Sequence, residues 1–247
     1  MIPPEVVQRV VLRVARNEGG SYAAINPNKD GAGLSYGLIQ WSQRTGALGR
    51  LLAEMRRADP GAFAASFGSA WQALLTTTAT GSLAPVEGAV LWADPWLSRF
   101  RGAARVPAFQ AVQLRLASEG PWMRAAIDAA GELRVVTERT LALTYDTAVQ
   151  QGPSHATKAA AALRQALIAA GATSVDYPDL LRAYAERVGA HFRRQSAPAS
   201  SRWTWKPVAG AWHAHAGNLD LYRNVTNRRL GILADPELSD VPLGGVS

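Results

Sequence analysis

Valines at positions 6, 7, 10, 11 and 14 mark one face of an opening helix, which runs straight into the pair Gly19-Gly20. The spacing predicts a helix over residues 5–18 with a single apolar face, Leu12 falling between the valines. Pro3 and Pro4 suit its first turn, and the two glycines suit its end. Glu18 continues the stripe of Val11 and Val14, so a carboxyl projects from the apolar face where the helix dipole is negative. Burial and dipole both favour the protonated acid. Placing glutamate there costs stability, and an acid that keeps its proton near neutral pH is suited to protonating a leaving oxygen.

Asp30 stands in different surroundings. Asn26, Pro27, Asn28, Gly31 and Gly33 are turn formers in a polar segment, so this carboxyl is expected to be solvated or hydrogen-bonded, and ionised. Two carboxyls with opposed environments make the acid and base, or the acid and nucleophile, of a glycoside hydrolase. An ordinary helix end and an ordinary turn aspartate would give the same spacing. The run Leu34–Trp41 alternates and fits either a short strand or the entry to another helix, and its glycines let backbone approach a sugar. Tyr36, Gln40 and Trp41 are the candidate substrate contacts, Gln40 either fixing the loop or meeting an N-acetyl group.

Three segments carry a resemblance to a known family. Asp30-Gly-Ala-Gly-Leu-Ser-Tyr-Gly-Leu-Ile resembles the catalytic loop of the family 46 chitosanases, which belong to the lysozyme-like superfamily. Leu143-Thr-Tyr-Asp-Thr-Ala-Val-Gln-Gln-Gly152-Pro153 is similar to their central helix and its Gly-Pro exit, and Ala216-Gly-Asn-Leu-Asp-Leu221 to their closing motif. Residues 107–124 match more loosely, through Phe109, Gln110, Gln113 and Trp122, so the resemblance spans residues 5 to 222. It implies Glu18 as general acid, Asp30 as general base, and Ser35 in place of a threonine that helps hold the attacking water. It also implies inversion of configuration, with the two carboxyls about 6.5–9.5 Å apart. The stretch between acid and base is shorter than in typical members, and the family's loop arginine is Ala32 here. Ser35–Gln40 resembles, in addition, the Gly-Leu-x-Gln signature of soluble lytic transglycosylases and goose-type lysozymes, peptidoglycan enzymes that can work with one glutamate.

Charge bears on the substrate. A formal charge of +7 steers the chain toward anionic cell wall, whereas an enzyme for polycationic chitosan gains nothing from a basic surface. Peptidoglycan is therefore the expected substrate, in a muramidase- or endolysin-like lytic enzyme or toxin with antimicrobial action. Chitosan hydrolysis, a lytic transglycosylase reaction and a non-catalytic wall-binding module are the alternatives. The arginines are scattered and no helix-turn-helix, zinc-finger or RNA-recognition signature is present, so nucleic acid is not expected as a partner. Cysteine is absent and His213-x-His215 has no third ligand in view, so neither a metal nor any other cofactor is expected. No run has membrane-spanning length, and Met-Ile-Pro-Pro-Glu is not a signal peptide. The expected setting is the bacterial wall or periplasm, reached by lysis, phage or a secretion system, and the expected state is a monomer.

Alanine-rich stretches at 125–130, 156–170 and 181–190 favour helices, and the predicted class is mainly α: a two-lobed lysozyme-like fold with a small β-hairpin or loop region in the cleft. Helices are expected at 44–58, 60–75, 86–93, 107–118, 121–131, 134–150, 156–171 and 178–195, with a loop at 76–82 and a flexible connector at 196–201. Residues 1–222 form the expected glycosidase domain, its lobes joined by the 134–150 helix as a buried spine, and 223–247 a C-terminal extension or tail. Asp146 on that spine is read as structural, paired with Arg187 or Arg194. Asn218 and Asp220 are read as turn and capping residues. Most tryptophans are expected in the core, with one of Trp41, Trp203 or Trp205 stacking on a sugar.

Overall fold

The computed structural model describes residues 2–17, 20–28, 31–172, 176–195, 205–208, 211–214 and 229–243. Among the described residues helices dominate, accompanied by one three-stranded antiparallel sheet and one two-stranded hairpin, so the predicted mainly α class holds. The chain divides into two compact units, Val11–Gly120, and Met1–Val10 with Pro121–Ser247.

The Val11–Gly120 unit begins within α1 (Pro4–Asn17), whose Val11, Val14 and Ala15 are buried as the valine stripe predicts. The sheet follows: β1 (Ile25–Pro27), β2 (Leu34–Tyr36) and β3 (Trp41–Ser42), with β2 in the centre. Five helices complete it: α2 (Ala47–Ala58), α3 (Pro60–Phe67), α4 (Trp71–Ala79), α5 (Trp96–Ala103) and α6 (Pro107–Glu119). Leu48, Leu51, Leu52 and Met55 bury one face of α2. Aromatic rings fill the space beyond: Phe63 on Phe67 at 4.7 Å, Phe67 on Phe100 at 5.2 Å and Phe100 on Tyr36 at 4.9 Å between centroids.

Local chemistry redraws several expected boundaries. The predicted 60–75 helix is broken at Gly68, whose φ of 68° ends α3 before a 3₁₀ turn, Gly68–Ala70, leads into α4. The threonine-rich tract is helical as far as Ala79, with the Thr78 hydroxyl donating back to the Leu74 carbonyl (2.8 Å). Residues 86–93 are not a helix. Val86 and Ala89 pair across Glu87 and Gly88, both at positive φ, in a two-residue hairpin turn. Helix α5 went unforeseen; Asp94, just before its N-cap Pro95, accepts from the Ser98 hydroxyl (2.7 Å) and amide (3.1 Å), bonds that hold its carboxyl below the usual aspartate range.

The other unit is built on α7 (Pro121–Glu132), α8 (Glu138–Gln151), α9 (Pro153–Ala169) and α10 (Tyr177–Gln195), with the hairpin β4 (Trp205–Val208) and β5 (Ala211–Ala214). Every residue of α8 from Thr140 to Ala148 is buried, the mark of a helix enclosed on all sides. Ala126, Ala129, Ala130, Ala142, Ala156 and Ala160 let α7, α8 and α9 approach closely, and the Thr144 hydroxyl in that packing reaches the Ala126 carbonyl (2.9 Å). The helix starts at 138, later than predicted, because Arg134 takes a positive φ and Thr137 caps the Thr140 amide (3.1 Å). It leaves through Gly152-Pro153 as expected, Gly152 at φ 94°.

Asp146 is fully buried on α8, with Arg229 Nε 3.5 Å from its Oδ2 and Arg229 only 2% exposed. Arg229 was not among the partners expected from the sequence; Arg187, which was, is exposed, and the Arg194 side chain lies outside the described residues. Arg229 is the first described residue of a helical stretch, α11 (229–234), in a C-terminal extension that is docked rather than free. The Arg139 guanidinium donates to the carbonyls of Ile232 (3.0 Å), Leu233 (3.0 Å), Asp235 (2.9 Å) and Leu238 (2.8 Å) and to the Asp240 carboxylate (2.8 Å). Four of the carbonyls at and beyond a helix end are satisfied by one side chain. Leu238 is buried, and the Leu243 amide bonds to the Val136 carbonyl (2.7 Å). Arg9 pairs with buried Glu138, whose other oxygen accepts from the Ser239 amide (3.3 Å). Among the described residues no helix is long and apolar enough to cross a membrane.

Candidate active site

Two short segments of the Val11–Gly120 unit carry the candidate chemistry: the end of α1 and the β1–β2 hairpin. Helix α1 closes with the Gly20 amide on the Ala15 carbonyl (2.7 Å), a six-to-one bond of the kind that ends helices. Glu18 and Gly19, between these partners, lie outside the described residues, as do Lys29 and Asp30 in the hairpin connection. The scaffold on both sides of each carboxylate is defined.

In the hairpin, β1 and β2 pair antiparallel with Asn26 opposite Ser35, and β2 and β3 with Ser35 opposite Ser42. Of the two readings for Leu34–Trp41, the strand is the one the fold adopts. Side chains alternate across a strand, so Leu34 and Tyr36 take one face and Ser35 the other. Asn26, Ser35 and Ser42 therefore form a polar row opposite the aromatic core, Ser35 itself being buried. The connection is shaped by Asn28 at φ 60°, which accepts from the Gly33 amide through Oδ1 (2.8 Å), and by Gly31 and Gly33, both at positive φ.

Buried amides hold this sheet in place. Gln43 Oε1 accepts from the Leu34 amide (3.1 Å) while its Nε2 donates to the Ser82 carbonyl (2.7 Å). Gln113, fully buried on α6, does the same between the Leu38 amide (3.0 Å) and the Tyr22 carbonyl (3.1 Å). The backbone at Gly37 comes so close that a Cβ there would run into the Gln113 amide. Gln113 falls in the loosely resembling 107–124 stretch, which was its sequence signal; Gln43 had none.

The expected substrate contacts are placed differently. Tyr36 has 0% of its surface exposed and packs on Phe100, so it offers a sugar nothing to touch. Burial pushes its hydroxyl well above the ordinary tyrosine range, a contact with the Gln113 amide offsetting part of that. Trp41 is buried beside Gly37 and is likewise a core residue. Both assignments as substrate contacts are corrected by burial: next to a site, an aromatic ring on a three-strand sheet is needed first for the core. Gln40 folds back, Nε2 donating to the Gly37 carbonyl (3.1 Å), which matches the loop-fixing half of its reading. Trp203, His215, Asn218 and Asp220 lie outside the described residues, as do the side chains of Trp205 and His213. Among the described residues no group of three or more His, Asp or Glu side chains is placed to hold a metal ion.

The sequence model of glycosyl hydrolase family 46 matches residues 14–224. The chain belongs to that family. This family 46 protein is accordingly a glycosidase. Its fold is shared with a chitosanase from Gynuella sunshinyii solved in complex with chitotetraose: TM-score 0.62, 17% identity, covering 94% of this chain and 88% of the other. A mutant chitosanase from Bacillus subtilis complexed with 6 GlcN aligns with a TM-score of 0.61 and 14% identity over 93% of this chain and 86% of the other. The native enzyme of the same Bacillus subtilis strain gives the same values. None of the curated proteins compared matches the chain.

Proposed function

We propose that this family 46 glycosidase hydrolyses the β-1,4 bonds of chitosan, with inversion at the anomeric carbon. Glu18 gives its proton to the glycosidic oxygen as the bond to the anomeric carbon breaks. Asp30 takes a proton from the water whose oxygen forms the new bond, and Ser35, on the polar side of β2, helps hold that water. The observation that carries the reading is the family match over residues 14–224, which spans both carboxylates and the Asp30–Ile39 block. Solved neighbours of the same fold that hold glucosamine oligomers point the same way. The formal charge of +7 favours a second reading, peptidoglycan hydrolysis, because a basic chain is steered toward anionic wall. Steering acts over the whole chain, whereas sugar recognition is local, so the second reading ranks below the first.

The deciding experiment incubates the purified protein with chitotetraose, polymeric chitosan and peptidoglycan in parallel, following new reducing ends and the anomer formed first by NMR. Cleavage of chitosan with initial release of the α-anomer is expected. Cleavage of peptidoglycan with chitosan left intact would overturn the substrate, and initial β-anomer would overturn the roles of the two carboxylates.

A further inference from the structure

We infer that Arg44 is a positioning residue for the Asp30 loop, holding the hairpin connection from outside; this rests on the acid–base reading above. Arg44 follows β3, thirteen residues after Gly31 in the sequence. Its Nε (2.9 Å) and NH2 (2.7 Å) both donate to the Gly31 carbonyl, in the Gly31–Ala32 peptide group, the second after Asp30 in the chain. Its backbone amide donates to the next carbonyl, Ala32 (3.0 Å), which also accepts from the Ser42 hydroxyl at 3.5 Å.

Three features separate this from an arginine lying on a surface. Both donors converge on one neutral carbonyl instead of a carboxylate, a use of the planar guanidinium that fixes direction as well as distance. The acceptor belongs to a glycine at φ 76°, a residue with no side chain to stiffen it and a wide choice of alternative conformations. The other bonds that shape the described part of the connection, Gly31 amide to Asn28 carbonyl (3.3 Å) and Gly33 amide to Asn28 Oδ1 (2.8 Å), come from neutral groups inside the loop. Arg44 is exposed, so it buries no unpaired charge and the fold does not depend on its packing.

The test compares wild type with Arg44→Gln and Arg44→Lys by hydrogen exchange of the amides of residues 31–33, thermal midpoint, and kcat and KM on chitotetraose. In Arg44→Gln, exchange at 31–33 should rise roughly tenfold with the midpoint unchanged, as expected when a charge-assisted pair to a loop is lost. Its kcat should fall roughly tenfold or more with KM little altered, the effect of a displaced catalytic group. Arg44→Lys should not restore the full kcat or the slow exchange, because lysine keeps the charge and loses the fork. Unchanged exchange in Arg44→Gln would overturn the inference whatever the activity, as would raised exchange with wild-type kcat. A wild type inert on chitotetraose and chitosan, with exchange still dependent on Arg44, would leave the clamp standing and sink the acid–base reading.

Discussion

The two candidate carboxylates rest on opposite kinds of support. The end of α1 is held by hydrocarbon: Val11, Val14 and Ala15 are buried on one face, and the closing bond is backbone to backbone. The hairpin that precedes and follows Asp30 is held by polar groups reaching in from α6 and from the segment after β3, Gln113, Gln43 and Arg44. Apolar burial is non-directional and tolerates small shifts, whereas an amide peg sets an angle and a distance and fails abruptly when removed. A proton donor that must reach an ether oxygen can accept the first kind of support. A base that must aim a water needs the second.

The largest effect expected is at the carboxylates themselves. Glu18→Gln and Asp30→Asn should each lower kcat on chitotetraose by about a thousandfold, the range for loss of a general acid or base. If Asp30→Asn keeps a tenth or more of the activity, the hairpin is not catalytic support and the contrast loses its meaning.

Next come the supports. Gln113→Leu leaves the Leu38 amide and the Tyr22 carbonyl without their partner, and about 3 kcal/mol of unfolding stability should be lost together with kcat. Val14→Ala removes two buried carbon groups, and should cost about 2 kcal/mol while kcat stays within a few-fold of wild type. Denaturant titration and initial rates on the same preparations check both. Equal losses of kcat in the two variants would erase the distinction between the supports.

The smallest effect concerns a third mode of attachment, by charge, at the C-terminal extension. The Arg139 guanidinium holds the Asp240 carboxyl below its ordinary value of 3.8. A depressed carboxylate stabilises the fold above its unfolded pKa, and that contribution is lost as pH falls through the lower, folded value. Hydrogen exchange at residues 239–243, corrected for intrinsic rate, should therefore lose some protection below about pH 4, modestly because the pair is half exposed. Protection that is flat down to about pH 2.5, or an unaltered dependence in Asp240→Asn, would remove charge from the list of attachments.

Much of the frame was legible because it rests on local signals. The valine stripe, the Gly152-Pro153 exit, the alanine runs and the Asp30–Ile39 block each announce an element or a kinship within a few residues. What escaped depends on partners distant along the chain or on a single backbone angle. Residues 86–93 have helical composition, but Glu87 and Gly88 sit at positive φ and turn the chain instead. Tyr36 and Trp41 look like sugar platforms beside a candidate base, yet a sheet this small needs both rings for its own core. Arg187 had helical spacing to recommend it as the partner of Asp146, while Arg229 lies eighty-three residues beyond that aspartate in polar sequence with no periodic signal. Arg44 was silent because its acceptor is a carbonyl, and carbonyls leave no trace in composition.

The Asp146–Arg229 pair also sets where this protein can be cut. The family match ends at residue 224, five positions short of an arginine that faces an aspartate in the middle of an enclosed helix. A fragment trimmed to that boundary would lose the Arg229 half of this buried contact and so weaken the packing around α8. Trimming at the front to residue 14 would discard Val10, Val11 and the Arg9 partner of Glu138 as well. The smallest autonomous folding piece is therefore larger than the stretch by which its kinship is recognised.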